Sequence, residues 1–124
     1  MRILLDTHVL LWTLAGSRRL SPESVAAIRE ADDLFVSSVS FAEIGVKAAV
    51  GKLEMPDELR ETVAATGVRT LALVPAHGLA VARLPVLHRD PFDRLLVAQA
   101  RTEGLTIVTG DDQIAQYDVA TVRA

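Results

Sequence analysis

The 124-residue chain contains no cysteine, which excludes disulfides, thiol nucleophiles, iron–sulfur clusters and cysteine-ligated zinc. Whatever chemistry it carries must use oxygen and nitrogen groups. Aromatic side chains are scarce, with one Trp, one Tyr and three Phe, too few for base stacking to dominate any contact with nucleic acid. No apolar run approaches the length of a membrane span. Only Ile3, Leu4 and Leu5 separate Met1-Arg2 from the charge at Asp6, too little for a signal peptide, so a cytoplasmic location without membrane association is expected. Positive charge is also in deficit: 13 basic residues face 16 acidic ones, a net charge of −3. Because phosphate neutralisation needs Lys and Arg, that balance speaks at face value against a nucleic-acid partner.

What is present is a globular composition, 50% hydrophobic and 23% charged, on a length that supports one core. There is no internal repeat, low-complexity tract or linker, so residues 1–124 read as a single domain. Short segments rich in Ile, Leu and Val predict strands at Arg2–Leu5, Leu34–Ser37, Arg69–Val74 and Thr106–Thr109, with a fifth near Ala120–Arg123. Helical patterns fall between them. Ser21 is a candidate N-cap with Pro22 at the first helical position and a helix running to about Ala31. A second such pattern spans Ser40 to Val50, with Gly51 as its stop, and Pro56-Asp57-Glu58 is expected to open another. An Ala/Leu-rich segment covers Ala76–Leu84. The clearest helix is Asp93–Glu103, between Asp90-Pro91 and Gly104. Apolar strands alternating with helices predict an α/β/α sandwich around a mostly parallel sheet of about five strands.

Ligands of open parallel sheets bind beyond the carboxyl ends of the strands. Asp6 follows the first strand directly, and Glu43 lies early in the helix after the second. Asp93 begins a helix that travels about ten residues, or ~15 Å, away from that edge. Leu105–Thr109 then returns as strand over ~13–17 Å, which brings Asp111 back level with Asp93. Four carboxylates separated by 37, 50 and 18 residues are thus predicted to share one edge. Clustered like charges disfavour one another's ionisation, so a cation is expected there. Hard oxygen donors suit Mg²⁺ or Mn²⁺, which promote phosphodiester hydrolysis by activating water and neutralising oxygen charge.

Each acid also has a plainer explanation. Asp93 can serve as an N-cap, Asp111-Asp112 as a turn or cap, and Glu43 with Lys47 as an i, i+4 ion pair. Asp6 is harder to explain so, since a carboxylate ending an apolar strand is costly without a partner. It is the joint placement that points to a metal site. A Mg²⁺-binding receiver-like module, or a protein-binding domain without nuclease activity, is the alternative; a receiver would carry a phosphoacceptor Asp after the third strand, where this chain has Val74-Pro75-Ala76-His77.

The segments Leu4-Leu5-Asp6-Thr7-His8, Ser37-Ser38-Val39-Ser40-Phe41-Ala42-Glu43-Ile44, Asp90-Pro91-Phe92-Asp93-Arg94-Leu95-Leu96-Val97-Ala98-Gln99-Ala100 and Val108-Thr109-Gly110-Asp111, in that order and over nearly the whole chain, resemble a PIN-domain ribonuclease, the VapC-type toxin of a toxin–antitoxin pair. The resemblance implies Mg²⁺- or Mn²⁺-dependent cleavage of RNA to 5′-phosphate and 3′-hydroxyl ends, with Asp6, Glu43, Asp93 and Asp111 as catalytic and metal-holding acids. Thr7 and Thr109 match the family's hydroxyls beside the first and last acids, where they orient carboxylates. It further implies a homodimer, inhibition by a cognate VapB-type antitoxin, and contact with DNA only through the antitoxin complex. Within the third segment Asp93 is taken as the acid, and Asp90 as turn chemistry before proline.

Lys47 and Arg94 are candidate phosphate contacts, and Lys52, Arg89 and the Arg18-Arg19 pair are weaker ones. His8 and His88 lie close to motif acids in sequence without an assigned catalytic part, and His77 reads as surface or helix-start chemistry. Trp12 reads first as core and second as an interface anchor. Setting the four proposed ligands aside leaves 12 acidic against 13 basic residues, a net of +1. The acidic surplus is therefore local, and it predicts that RNA binding depends on metal.

Overall fold

The computed structural model describes residues 1–16 and 19–124; Arg18 lies outside them. Five parallel strands, β1 (Arg2–Leu5), β2 (Asp33–Ser37), β3 (Arg69–Leu71), β4 (Thr106–Thr109) and β5 (Thr121–Arg123), form one sheet in the order β3-β2-β1-β4-β5. Strict alternation in the central strands sends side chains to opposite faces. Leu4, Phe35 and Ile107 join Leu96, Val97 and Ala100 in one core layer. Ile3, Leu5, Val36 and Val108 join Val9, Leu10, Ile44 and Val63 in the other. The central strands are thus buried on both sides, which is why they read as nearly unbroken apolar runs.

The described residues include seven helices: α1 (Thr7–Leu14), α2 (Pro22–Glu30), α3 (Ser38–Ala49), α4 (Leu59–Ala65), α5 (Pro75–Ala80), α6 (Pro91–Glu103) and α7 (Asp112–Ala115), with a 3-10 turn at Val81–Arg83. Capping sets most of the starts. The Ser21 hydroxyl accepts from Ser24 N–H at 3.0 Å, with Pro22 opening α2 as expected. Ser37, the last residue of β2, caps α3 through Val39 N–H at 2.9 Å, so that helix begins two residues before the predicted Ser40. Asp90 caps α6, accepting from Phe92 and Asp93 N–H at 2.9 and 3.2 Å, with Pro91 at the first helical position. Gly104 ends α6 at φ 67°, a left-handed geometry that glycine adopts without a Cβ penalty.

Other boundaries also differ from the sequence reading. β3 stops at Leu71 rather than Val74 because its partner β2 ends at Ser37, the residue paired with Leu71. The helix expected from Pro56 starts only at Leu59, because Glu58 is left-handed at φ 52° and breaks the run. The segment Ala76–Leu84 divides into α5 and the 3-10 turn. The short α7 was not anticipated. The order 3-2-1-4-5 also departs from the 2-1-3-4-5 order of receiver domains, which removes the topological basis for that alternative. No helix among the described residues is long and apolar enough to cross a membrane.

Candidate active site

β1 and β4 are neighbours in the sheet, and the connections leaving them diverge to opposite sides, which opens a crevice at their carboxyl ends. A cavity of about 490 Å³ occupies it, lined by Asp6, Thr7, His8, Trp12, Glu43, Lys47, Asp90, Asp93, Gly110, Asp111, Asp112 and Gln113. All four sequence-predicted acids border this one cavity. A larger one of about 650 Å³, lined by Phe41, Arg60, Val63, Ala64, Gly67, Val68 and Thr70, contains neither carboxylate nor imidazole.

Asp6 leaves β1 and caps α1, its Oδ1 accepting from Val9 N–H at 2.8 Å. The Thr109 hydroxyl at the end of β4 donates to Asp6 Oδ2 and accepts from Asp111 N–H at 3.0 Å. One hydroxyl thereby fixes two acids on adjacent strands. Asp111 caps α7 through Gln113 N–H at 2.8 Å. Its capping and cavity-lining positions therefore coincide.

Glu43, 4% exposed, faces the cavity from the second turn of α3. Its Oε1 accepts from the Thr7 hydroxyl at 2.7 Å, with Ser40 Oγ 2.9 Å from the same hydroxyl. Its Oε2 is 2.5 Å from Lys47 Nζ. The i, i+4 pair is therefore not a surface ion pair: the acid is buried and the ammonium borders the cavity. Asp93 stands in the first turn of α6, where Asp90 and not Asp93 is the cap. Its Oδ2 lies 3.0 Å from His88 Nε2.

The electrostatics follow from this crowding. Burial raises the Asp6 carboxyl above its ordinary value; Thr109, Val9 N–H and His8 oppose the rise, and Asp111 adds to it. Asp93 is pushed up to about 6, chiefly by desolvation, with Asp90, Asp111 and Glu43 adding and the His88 hydrogen bond opposing. Lys47 is raised by its hydrogen bond and charge contact with Glu43, with Asp90 and Asp93 adding. A site in which carboxylates resist ionisation and a lysine holds its proton is short of positive charge.

Other assignments are corrected by the geometry. The Arg94 guanidinium is committed to Pro85 O at 2.8 Å and the Tyr117 hydroxyl at 3.0 Å and does not border the cavity, so it is not placed as a phosphate contact. His77 meets the helix-start part of its reading but is not a surface residue. It is 1% exposed, accepts from Val74 N–H at the start of α5 and meets Glu103 at 2.8 Å. Trp12 is half-buried, packing on one core layer while its ring borders the cavity, and Arg19 stacks 5.7 Å above its ring. Lys52 and Arg89 are exposed. Ser40, Asp112 and Gln113 at the site, and His88 as a partner of Asp93, were not assigned from sequence. Only the Asp-Pro at 90–91 carried a usable signal, that of a capped helix start.

The PIN domain family model matches residues 3–120. Over 123 residues the chain is 32% identical to Ribonuclease VapC22 of Mycobacterium tuberculosis, covering 93% of this chain and 91% of that protein. The chain is a PIN domain of the VapC type. Among solved structures, this VapC-type domain superposes with a TM-score of 0.72 at 12% identity on a chain of VapBC2 from Rickettsia felis bound to a promoter DNA fragment, covering 100% of this chain and 99% of that one. With VapBC-5 from M. tuberculosis the TM-score is 0.63 at 22% identity, covering 100% of both chains. At these identities the likeness is one of fold.

Whether the site suits the divalent ion expected of it rests on the donors. All are hard oxygens, they border an open cavity, and two of them lie above their ordinary pKa, chiefly through burial and with neighbouring acids adding. That chemistry fits Mg²⁺ or Mn²⁺. Among the described residues no three acidic or imidazole side chains converge on one point; Glu43 is engaged by Thr7 and Lys47, Asp93 by His88, and Asp6 by Val9 and Thr109. Asp6, Glu43, Asp93 and Asp111 would hold the ion.

Proposed function

We propose that this VapC-type domain is a divalent-metal-dependent endoribonuclease that hydrolyses RNA phosphodiester bonds as the toxin of a VapBC-type pair. The observation that carries the reading is the convergence of Asp6, Glu43, Asp93 and Asp111, from four separate elements, on one cavity at the β1/β4 crevice. The identity to a named VapC ribonuclease supports RNA as the substrate class.

A bound Mg²⁺ or Mn²⁺ would supply water activation and charge neutralisation at the phosphodiester. The protein's own contributions can be read from its hydrogen bonds. Thr109 holds Asp6, and Thr7 holds Glu43, each presenting a carboxylate oxygen in a fixed direction. Lys47 compensates the charge of Glu43 and, at the border of the cavity, is placed to meet a phosphate oxygen. The acids exclude RNA from the cavity while their charge is uncompensated, since like charges repel at this range.

The same reading includes a homodimer, a cognate VapB-type antitoxin that neutralises the activity, contact with DNA only through that complex, and residence in the cytoplasm. VapBC assemblies among the fold relatives support the antitoxin partner. The direct test is cleavage of a mixed RNA pool with Mg²⁺ or Mn²⁺ by wild type and by Glu43→Gln, with chelator as control. Cleavage by wild type alone is expected; cleavage by both proteins in chelator overturns the proposal.

A further inference from the structure

Behind Asp93 runs a chain of polar groups that the proposed chemistry does not use. His88, in the loop before α6, bridges Asp93 and Tyr117: Nε2 lies 3.0 Å from Asp93 Oδ2, and Nδ1 lies 2.8 Å from the Tyr117 hydroxyl. Tyr117 is 3% exposed, and its oxygen is 3.0 Å from Arg94 Nη1. Arg94 is anchored in turn on Pro85 O at 2.8 Å.

The hydrogens can be assigned in one consistent way. A guanidinium only donates, so the Tyr117 oxygen accepts from Arg94. The single phenolic hydrogen then has His88 Nδ1 as its acceptor, which leaves Nδ1 without a proton. The imidazole proton sits on Nε2 and is donated to Asp93. A doubly protonated ring would place two donors on the phenol oxygen and leave its hydrogen without a partner in a buried position. Every donor in the chain points toward the carboxylate.

We propose that His88 is a positioning residue for Asp93, held as the Nε2–H tautomer by the Tyr117 hydroxyl, which the Arg94 guanidinium fixes in its turn. His88 does not border the cavity, so it acts through Asp93 rather than on RNA. The consequence is a carboxylate with Oδ2 committed to the protein and Oδ1 turned free for a ligand. Orienters of this kind are worth about 10–100-fold in metal affinity or activity. The function of the device rests on the metal-dependent nuclease reading; its tautomer does not.

Two measurements separate the two. Nitrogen-15 NMR of the metal-free protein at neutral to mildly alkaline pH should show a single Nε2–H tautomer for His88, lost in the isosteric Tyr117→Phe variant while the fold persists. An Nδ1–H tautomer, or a mixture in wild type, overturns the proposal. Calorimetric Mn²⁺ binding and RNA turnover should then fall about 10–100-fold in His88→Ala with KM for RNA unchanged, and recover in His88→Gln, whose amide places a donor near the imidazole Nε2. Unchanged Mn²⁺ affinity in His88→Ala also overturns it. A protein with the expected tautomer and Mn²⁺ response that cleaves no RNA upholds the positioning role and sinks the nuclease reading instead.

Discussion

Asp93 should make the metal-free protein less stable as it ionises. Its side chain is only 14% exposed, and its carboxyl is pushed from 3.8 up to about 6, first by desolvation and then by three neighbouring acids. A raised carboxyl binds its proton more tightly in the folded state than in the unfolded one. Stability is therefore lost as pH rises from 3.8 toward 6, and the loss is complete above 6. A shift of this size corresponds to roughly 3 kcal/mol, or on the order of 10 °C in Tm for a domain of this length. Asp93→Asn removes the charge while its amide oxygen still accepts from His88 Nε2–H. In chelator near neutral pH the variant should melt up to on the order of 10 °C above wild type, and the gain should vanish near the ordinary carboxylate range. The raised Asp6 carboxyl is present in both proteins and cancels in the comparison. Saturating Mn²⁺ should reverse the ranking, because the ion stabilises the protein that binds it. Thermal melts followed by circular dichroism across that pH range decide the matter. A gain in the variant that is absent at neutral pH, or equal at every pH, refutes the reasoning.

Thr109→Val deletes both the donor to Asp6 and the acceptor of Asp111 N–H; a loss of about 2 kcal/mol in urea unfolding is expected, together with weaker Mn²⁺ binding by calorimetry. Lys47→Met leaves Glu43 buried without its counter-charge. The metal-free variant should lose about 1–2 kcal/mol, recovered when Mg²⁺ is added, as read from paired melts with and without the ion.

The layers of the fold and the convergence of acids were legible because both follow from order along the chain. Apolar strands buried on two faces announce themselves, and a helix of known rise followed by a strand of known rise returns Asp111 to the level of Asp93. What could not be read lies in backbone exceptions and in contacts between distant segments. Nothing local marks Glu58 as left-handed, and the length of β3 is set by where its neighbour β2 turns into α3. The burial of His77 depends on Gln99 and Glu103, 22 and 26 residues away. Arg94 beside Asp93 invites a phosphate contact, yet its reach is set by Tyr117, 23 residues distant, and by the carbonyl of Pro85. The same tertiary contact hides the part of His88, which sequence shows only as a histidine five residues before an acid.

The net charge of −3 takes its meaning from this geometry: the surplus is gathered in one crevice, where burial first, and neighbouring acids second, hold two carboxyls above their ordinary pKa. The most direct test of the central claim is RNA cleavage by highly purified wild type and Asp6→Asn, titrated with Mg²⁺ or Mn²⁺ and compared at matched folded fraction. Metal-dependent cleavage by wild type is expected, and none by Asp6→Asn at any metal concentration. Full cleavage by Asp6→Asn, or wild-type cleavage that persists in chelator, would contradict it.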